Sequence, residues 1–265
     1  MKPYYKYSFD QYSIFQTPNL WSTYQNYNYM IVQGDQASVF DPGEFAPINR
    51  TLEENNLQVK DIYLTHHHHD HVGATLEFKK KWNCPVFGFS KDRARLPGVT
   101  DHYSENDVLR IANLEAQVLF LPGHTLGLCA FYFEEKGWLF SNDLLFSLGC
   151  GRIFEGTPPQ MFSSLAKVRA LPEDTHIFSS HEYTASNLNF ALSIFENDSN
   201  LLSLQEDIAD KLANQQPTVP TRLSYEKRNN PFLRWDDPGL RKSLGMEKNE
   251  DWEVFAEIRR LKDMS

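Results

Sequence analysis

The sequence predicts an α+β protein in which a β-rich domain, with helices packed on its sheets, precedes a smaller helical domain. Over the first two-thirds of the chain, short apolar runs typical of strands alternate with turns and helical stretches. After Tyr183 the strand pattern stops and helical periodicity takes over. The composition, 41% hydrophobic and 23% charged, is that of an ordinary globular chain with a sizeable core. We therefore expect domains at residues 1–182 and 183–265.

The predicted strands are short apolar runs bounded by turn residues. They are Tyr29–Val32, Ala37–Phe40, Asp61–Leu64, Pro85–Phe89, Gln117–Leu121, Leu128–Phe133, Trp138–Ser141 and His176–Ser179. Ten aromatic residues crowd positions 4–29, and we expect them to edge the core of an N-terminal β-layer. An aromatic platform for nucleic acid would need interleaved basic residues, and this stretch has only Lys2 and Lys6.

The predicted helices show apolar residues that recur on one face. They are Pro47–Asn55, Thr75–Lys81 and Pro158–Leu171 in the first domain, and Ser186–Phe195, Asn200–Asn214 and Asp251–Lys262 in the second. Pro158 suits a first helical turn, where its missing N–H costs nothing. Between the last two helices we expect a loop rich in proline and basic residues.

The net charge and the number of cysteines indicate which binding partners and which cellular compartment to expect for this protein. A net charge of −9 argues against nucleic acid or an anionic membrane surface as the main partner. Three cysteines are too few, and odd in number, for a disulfide framework, so reduced thiols are expected. The N-terminal residues lack an apolar signal segment, and no apolar run is long enough to span a membrane. We expect a cytoplasmic monomer that contacts no membrane.

A cluster of histidines follows the third predicted strand. Thr65-His66-His67-His68-His69-Asp70-His71 comes directly after Leu64, and a helix is predicted soon after it. His66 and His68, two apart on an extended segment, point to one side and can share an ion. Asp70 and His71, where the chain turns into the helix, can reach a second ion. Imidazole and carboxylate without thiolate suit a catalytic site for zinc, iron or manganese rather than a closed structural zinc site.

The same cluster has a plainer interpretation, a solvated histidine-rich tract. Such tracts sit at chain ends, whereas this one lies behind an apolar strand, which favours the metal site. His67 and His69 point to the other side of the segment and are expected to pack or to support the ligands.

Three further metal-capable groups stand just beyond predicted strands. His124 follows the strand ending at Leu121, Asp143 follows Trp138–Ser141, and His181 follows His176–Ser179. Residues at strand ends gather at one edge of a sheet, where active sites commonly lie. Each alone would be read as a surface or core residue; together with the histidine cluster they complete a two-metal set, in which Asp143 can bridge the ions.

These motifs resemble the metallo-β-lactamase fold superfamily, and within it the glyoxalase II (hydroxyacylglutathione hydrolase) family. The superfamily pattern is the histidine cluster, Pro122-Gly123-His124-Thr125, the Asp after a strand and the late His181. Stretches from Gly149 onward narrow the resemblance to glyoxalase II. They include Gly149-Cys150-Gly151-Arg152, His181-Glu182-Tyr183-Thr184, Pro217-Thr218-Val219-Pro220, Asn230-Pro231-Phe232-Leu233-Arg234 and Arg259-Arg260-Leu261-Lys262-Asp263. The likeness covers nearly the whole chain.

The resemblance implies an αββα sandwich followed by a helical domain that helps to bind glutathione. It implies two divalent ions, zinc first and iron or manganese as alternatives. The implied ligands are His66, His68 and His124 for one ion and Asp70, His71 and His181 for the other, with Asp143 and a hydroxide bridging. The implied glutathione contacts are Arg152, Tyr183, Arg259 and Lys262.

The resemblance also implies an activity, hydrolysis of the thioester S-D-lactoylglutathione to D-lactate and glutathione, in which Asp70 and Asp143 are the catalytic carboxylates. The chain departs from the family pattern modestly: Phe154 stands where tyrosine is common, and Asn142 and Ser180 replace usual glycines. These departures remove no ligand. They leave the affinity for substrate open.

Three other functions are compatible with parts of the sequence. A persulfide dioxygenase shares the fold and the glutathione moiety but uses one metal and oxygen. A lactonase or β-lactamase of the same superfamily does not need a basic helical tail. A metal-storage protein would need no bridging Asp143. The basic residues Arg259 and Lys262 favour the glutathione thioesterase.

Overall fold

The computed structural model describes residues 2–195 and 198–265 and divides them into two compact units. The first unit comprises residues 1–120 with 127–136, and the second comprises residues 121–126 with 137–265. Sheets and helices occur together in this chain, as the predicted α+β class requires.

The first unit contains a seven-stranded sheet whose strands follow one another in chain order. They are β1 (Tyr5–Phe9), β2 (Tyr12–Asn19), β3 (Asn26–Gln33), β4 (Gln36–Phe40), β5 (Gln58–Leu64), β6 (Val86–Phe89) and β7 (Asp101–Tyr103). Strands β1 to β4 pair antiparallel, and β4 to β7 pair parallel. The aromatic N-terminal segment therefore forms a β-layer, as predicted.

A second layer of the first unit is an antiparallel run of β8 (Val108–Ile111), β9 (Leu114–Phe120) and β10 (Cys129–Phe133). Aromatic side chains join it to the seven-stranded sheet. Phe131 of β10 lies 5.4 Å from Phe40 of β4, and Phe120 of β9 lies 5.3 Å from Phe89 of β6, measured between ring centroids. Two sheets face each other here across an aromatic core, which is the sandwich arrangement.

Three helices belong to the first unit, α1 (Phe45–Glu54), α2 (His69–Val72) and α3 (Thr75–Trp82). Helices α1 and α3 present Ile48, Leu52 and Phe78, all fully buried, to a core that includes Met30 and Ile62 of the seven-stranded sheet. Burying each such side chain contributes roughly 1.5–3 kcal/mol. These helices thus cover a face of the sheet, and both match predicted helices to within a few residues.

The second unit is built on β11 (Trp138–Asn142) and β14 (His176–Ser179), which pair parallel. The short strands β12 (Leu145–Phe146) and β13 (Gly149–Cys150) form a hairpin, and β15 (Thr221–Arg222) pairs antiparallel with β14. Because β11 and β14 run in the same direction, the residues after Asn142 and after Ser179 emerge at the same end.

Six α-helices complete the described part of the second unit. They are α4 (Pro158–Arg169), α5 (Thr184–Ile194), α6 (Ser199–Ala213), α7 (Leu223–Asn229), α8 (Pro238–Leu244) and α9 (Asp251–Met264). Helix α4 begins with a capping box in which the Thr157 hydroxyl and the Gln160 side chain each bond the other residue's backbone N–H. The buried Met161, Leu165 and Val168 recur on one face of α4, as the sequence pattern predicted.

One sequence expectation about this region is wrong. The segment between the two last predicted helices is not a plain loop, because it contains β15, α7 and α8. The strand pattern therefore does not stop at Tyr183. β15 is only two residues long and α7 and α8 are seven each, so none carries enough residues to show a period. Among the described residues, no helix combines the length and the apolar character that crossing a membrane would require.

A buried carboxyl, Glu226 of α7, ties this region together. Its Oε2 accepts hydrogen bonds from Leu148 N (2.9 Å) and Asn230 Nδ2 (3.0 Å), and its Oε1 accepts from the Thr221 hydroxyl (2.7 Å). Burial raises the pKa of Glu226 to about 7, although these three donors oppose the shift. The folded protein therefore holds a proton on Glu226 that the unfolded chain releases near its ordinary pKa of 4.5.

We expect this proton to make folding stability depend on pH. The stabilisation is complete below about pH 4.5 and is lost as the pH rises to about 7, a change of about 3 kcal/mol for this group. Glu226→Gln keeps the shape, its amide can donate to Thr221, and it does not titrate. Urea unfolding at pH 5 and pH 8 should show a smaller stability loss in the variant than in the wild type. Equal losses in both would contradict the assignment.

Candidate metal centre

The first residues of the site follow two parallel strands of the first unit, β4 and β5. Asp41 follows β4 and Thr65 follows β5, and the Asp41 backbone N–H donates to Tyr63 O at 3.0 Å. The Asp41 carboxylate accepts a hydrogen bond from Thr65 N (2.7 Å) on one oxygen and from the Thr65 hydroxyl (2.6 Å) on the other. Asp41 thereby fixes the first residue of the histidine cluster.

The same carboxylate orients His71. Asp41 Oδ2 lies 3.1 Å from His71 Nδ1, and both side chains are buried. A carboxylate accepts only, so Nδ1 carries the hydrogen and Nε2 is left as the metal-binding nitrogen. That Nε2 lies 3.8 Å from Asp70 Oδ2, which brings the carboxylate and imidazole of the α2 turn to one place.

His66 and His68 lie beside this pair. The His66 ring centroid is 4.8 Å from that of His68 and 4.2 Å from that of His71. Asp41, His66 and His71 offer ligand atoms that all lie within 4.8 Å of one another. Since Asp41 is already bonded to Thr65 and His71, it acts as a support. The first unit therefore brings together His66, His68, Asp70 and His71, the four sequence-predicted ligands of this segment.

The other two histidines of the cluster behave differently. His67 points to Asp92, with 3.0 Å between His67 Nδ1 and Asp92 Oδ2, and Arg95 donates to the same carboxylate at 2.6 Å. Asp92 is 1% exposed, so this contact is an anchor inside the protein. His69 is exposed. The expectation that His67 packs is confirmed by its contact with Asp92, whereas His69, which was also expected to pack or to support the ligands, is exposed.

The second unit assembles the remaining three candidates around Asp143. His124 Nε2 lies 3.2 Å from Asp143 Oδ2, and His181 Nε2 lies 3.2 Å from Asp143 Oδ1. All three side chains are buried. His124 is oriented through Nδ1, which donates to Arg152 O at 2.8 Å, and the Ser180 hydroxyl donates to Asp143 Oδ1. Each oxygen of one carboxylate thus faces a different imidazole, as a bridging ligand requires.

Local backbone geometry holds Asp143 in this position. Asn142 has φ +46°, in the left-handed region that glycine and asparagine tolerate best. This explains how asparagine stands where the family pattern has glycine. Gly151 packs against the Asp143 backbone: a Cβ there would lie 2.0 Å from Asp143 O and 3.1 Å from His124 Nδ1. Only glycine allows this approach.

The donor set fits divalent metal ions. Each half consists of imidazoles and carboxylates, all of them buried except the half-buried His68. In His71 and His124 the Nδ1 atom is already bonded, which leaves Nε2 for an ion. The cysteines Cys84, Cys129 and Cys150 are all buried and free, and none belongs to a group of potential ligands among the described residues. Histidine and carboxylate without thiolate are typical of catalytic zinc, iron or manganese.

The four predicted glutathione contacts also lie in the second unit. The Tyr183 ring stacks on the His181 ring at 4.7 Å with an interplanar angle of 4°. Asp263 joins two of the cations, since its Oδ1 lies 3.4 Å from Arg152 Nε and accepts from Arg259 Nη2 at 2.8 Å. Lys262 Nζ donates to Ser186 O at 3.2 Å. Two of the three cations thus meet at a single carboxylate.

Arg259 differs from the other two cations because it is 6% exposed. Its Nη1 donates to Cys150 O at 3.1 Å, and its guanidinium lies 5.0 Å from the Phe232 ring centroid. Arg259 therefore also anchors the segment that carries Gly151 and Arg152. Arg152 is largely exposed, with a side-chain exposure of 60%.

Two carboxylates that hold the histidine cluster in place were not identified from the sequence: Asp41, which contacts His71, and Asp92, which contacts His67. Asp41 stands directly after a predicted strand, which is the signal that identified Asp143 and His181. The same signal would therefore have identified Asp41. No sequence signal links His67 to Asp92, because the two are 25 positions apart and Asp92 lies in a 3₁₀ turn, Ser90–Asp92.

We expect Asp41→Asn to weaken metal binding by roughly 10–100-fold, because the amide disturbs the Thr65 bonds and the orientation of His71. Titration against a chromogenic chelator measures the affinity directly. Asp35→Asn, at an exposed position, is the matched control and should leave the affinity unchanged. Wild-type affinity in Asp41→Asn would contradict the supporting role.

Two family models together match nearly the whole chain. Residues 22–181 match the model of the metallo-β-lactamase superfamily, and residues 182–265 match that of the hydroxyacylglutathione hydrolase C-terminus. A hydroxyacylglutathione hydrolase of Synechococcus sp. (strain JA-2-3B'a(2-13)) is 42% identical over 241 residues, covering 90% of this chain and 95% of that protein. One from Synechocystis sp. (strain PCC 6803) is 43% identical over 237 residues, 87% of this chain and 91% of that protein.

Solved structures share the fold. ETHE1 from Myxococcus xanthus is 20% identical and superposes with a TM-score of 0.64 over 97% of this chain and 89% of its own. TTHA1623, in a di-iron-bound form, is 26% identical with a TM-score of 0.58 over 78% of this chain and 95% of its own. The first likeness concerns the fold alone. The second is to a protein that holds two metal ions.

Proposed function

The chain belongs to the hydroxyacylglutathione hydrolase family of the metallo-β-lactamase superfamily, and from this we propose that it hydrolyses S-D-lactoylglutathione to D-lactate and glutathione. This reaction would complete the detoxification of methylglyoxal. One observation carries the proposal: residues 182–265 match the C-terminal model of that family. The metallo-β-lactamase module alone serves proteins of many functions, so the C-terminal segment is what narrows the substrate class.

We propose that the seven ligands form one binuclear site. His66, His68 and His124 would hold one ion, Asp70, His71 and His181 the other, and Asp143 would lie between them. Two facts support this set: each oxygen of Asp143 faces a different imidazole, and a single family model spans residues 22–181, which contain all seven residues. Zinc is the first candidate for both ions, with iron or manganese as alternatives.

Two bound divalent ions would supply a water acidic enough to attack at neutral pH. The residues of the protein would hold the two ions and orient the attacking water. Asp70 and Asp143 offer carboxylate oxygens that accept hydrogen bonds from the attacking water and direct it at the thioester carbon. Ser180, Asp41 and Arg152 O fix the orientation of Asp143, His71 and His124 respectively. Preorganised groups of this kind need no rearrangement during the reaction.

A covalent route through a cysteine is not supported. Cys150 is the cysteine nearest in sequence to Asp143, and it is buried. Burial raises the pKa of the Cys150 thiol to about 11, although the Arg259 charge opposes the shift. A thiol of this kind is protonated at neutral pH and is a poor nucleophile.

We propose that Arg152, Tyr183, Arg259 and Lys262 bind the glutathione moiety. Glutathione carries two carboxylates, and charge-assisted hydrogen bonds from arginine and lysine suit them. Arg152 and Lys262 are the more accessible of the three cations, and Asp263 keeps Arg152 and Arg259 close together. Tyr183, stacked on His181, joins this region to the metal ligands.

We expect Lys262→Ala to raise KM for S-D-lactoylglutathione roughly tenfold and to leave kcat nearly unchanged. Lys262 would contact the end of the substrate that does not react, and a lost charge-assisted hydrogen bond of this strength gives about that factor. Steady-state kinetics of the thioester measures both constants. Lys248→Ala, an exposed lysine of the same unit, is the control. A loss of kcat at unchanged KM would refute the binding role.

The function itself is tested on a panel of substrates. Purified protein is assayed with S-D-lactoylglutathione, a chromogenic β-lactam, a lactone and glutathione persulfide with an oxygen electrode. We expect hydrolysis of the thioester far above the other activities. Oxygen uptake with the persulfide, or lactam or lactone hydrolysis with an inert thioester, would contradict the proposal and favour the corresponding relative of the same fold.

Three further proposals concern organisation and compartment. We propose that the catalytic domain ends near residue 182 and the glutathione-binding domain begins near residue 183, since the two family models meet there. We propose that the protein acts in the cytoplasm, which the three free cysteines support. We propose that it acts as a monomer, because the residues assigned to its site all come from one chain.

A further inference from the structure

A cavity within the second unit is lined by none of the proposed metal or glutathione residues. Its volume is about 360 Å³, within the range of small-molecule sites. Helix α6, strand β15, helix α7 and the segment Thr218–Pro220 contribute its lining. The cavity is therefore large enough for a small metabolite.

The charged groups at this cavity are mostly cationic. Lys211, Arg222 and Arg228 line it together with one carboxylate, Asp207, and that carboxylate is paired with Lys211 at 2.8 Å. Arg222 and Arg228 are the other two charged residues of the lining. In the described part of the chain neither guanidinium has an ion pair or a side-chain hydrogen bond.

This lack of partners sets the two residues apart. The other six arginines of the second unit each contact a carboxylate within 4.0 Å. Two arginines that line one cavity and hold no carboxylate in an acidic protein leave an uncompensated positive charge there. Arginine recognises phosphate and carboxylate through paired N–H groups.

A buried side-chain oxygen without a hydrogen-bond donor is a second, independent observation at this cavity. Asn229 is 4% exposed and lines the cavity, and its Nδ2 donates to Tyr225 O at 3.0 Å. Its Oδ1 is buried and accepts no hydrogen bond from any described residue. A buried carbonyl oxygen is costly to leave unsatisfied, so it calls for a donor such as a hydroxyl group.

Hydroxyl groups complete the lining. Thr218, Thr221, Ser224 and Tyr225 all border the cavity. Burial raises the pKa of Tyr225, so its phenol stays neutral at physiological pH and can donate. The Thr218 and Thr221 hydroxyls already donate to Glu182 and Glu226. The cavity thus offers two unpaired guanidinium groups, the hydroxyls of Ser224 and Tyr225 and one acceptor that needs a donor.

We propose that this cavity binds a small organic phosphate that also carries a hydroxyl group. The phosphate oxygens accept from Arg222 and Arg228, and the hydroxyl donates to Asn229 Oδ1. The proposal assigns a binding site separate from the thioesterase site, and it does not depend on the identity of the thioester.

The test uses calorimetric titration of the full-length, metal-loaded protein with three probes: sn-glycerol 3-phosphate, inorganic phosphate and glycerol. We expect sn-glycerol 3-phosphate to bind most tightly, phosphate more weakly and glycerol not measurably. The double variant Arg222→Ala/Arg228→Ala should bind sn-glycerol 3-phosphate at least roughly tenfold more weakly, since two charge-assisted contacts are lost. Arg93→Ala/Arg110→Ala, which removes two exposed arginines of the first unit, should bind like the wild type.

Four outcomes overturn the proposal. They are no binding of sn-glycerol 3-phosphate at millimolar concentration, equal binding of phosphate and sn-glycerol 3-phosphate, equal loss of binding in both double variants, and unchanged binding in Arg222→Ala/Arg228→Ala. The kinetics of that variant separate this site from the substrate site. A raised KM for S-D-lactoylglutathione would mean that the cavity belongs to the glutathione site, whereas unchanged thioester kinetics with lost probe binding supports a separate site. Wild-type metal content and unfolding show that the variant is folded.

Discussion

Asp143→Ala should lower kcat/KM for S-D-lactoylglutathione by roughly a thousandfold or more and should reduce the metal content below two ions per chain. The two oxygens of Asp143 each face a different histidine, His124 and His181, at 3.2 Å. Removing Asp143 leaves both imidazoles without the carboxylate between them, and with the proposed ligand set both ions would lose a ligand at once. No neighbouring carboxylate replaces it in the described part of the second unit.

The measurement combines element analysis with steady-state kinetics on the same sample. Asp174→Ala removes an exposed carboxylate of the second unit and should keep both the metal content and the rate. Ser180→Ala, which removes only the hydrogen bond to Asp143, should lie between the two. Asp143→Ala that retained two ions and most of the activity would show that Asp143 does not bridge them.

The six longest helices outside the α2 turn, eight of the strands and the main ligands could be predicted from the sequence because their signals are local. Strands β7, β8, β12 and β13 were not predicted. The alternation of side chains along an extended segment separates His66 and His68 from His67. In the structure His66 and His68 offer ligand atoms within 4.8 Å of each other, whereas His67 contacts Asp92. Because Asp143 and His181 each follow a strand, they were expected to lie at one edge of a sheet, and they follow the same end of the parallel pair β11 and β14. Both signals come from a few neighbouring residues.

The contacts that hold the site together could not be predicted in the same way, because each joins residues that are far apart in the sequence. The position of Asp41 after a strand could single out that residue but not its contact with His71. His71 and Asp41 are 30 positions apart, His67 and Asp92 are 25 apart, and Arg259 and Cys150 are 109 apart. Such pairs follow from the packing of whole strands and helices, which single-sequence patterns do not contain. The short elements β15, α7 and α8 were missed for a related reason, since tertiary contacts rather than a period define them.

Arg259 illustrates the limit of reading a role from a motif. The resemblance assigns it to glutathione, and the structure buries it against Phe232 with a hydrogen bond to Cys150 O. A truncation of Arg259 would therefore disturb the segment around Gly151 as well as any substrate contact. Lys262 contacts Ser186 and the Phe190 ring and is less buried than Arg259, so its truncation is the cleaner test of substrate binding.

Removing the metal ions should abolish the activity. Without them, the imidazoles and carboxylates of the site can orient a water molecule but cannot make it acidic, and this is worth many orders of magnitude in the availability of hydroxide. Circular dichroism must show that the metal-free protein is still folded, so that lost activity is not lost structure.

The most direct test of the account is therefore to dialyse the protein against a chelator, count the ions by element analysis and assay S-D-lactoylglutathione before removal, after removal and after ions are returned. The account predicts about two divalent ions per chain at the start, a rate below about 1% of the original without them, and recovery on adding zinc, iron or manganese. Folded protein that holds no ions and hydrolyses the thioester at the original rate would contradict it.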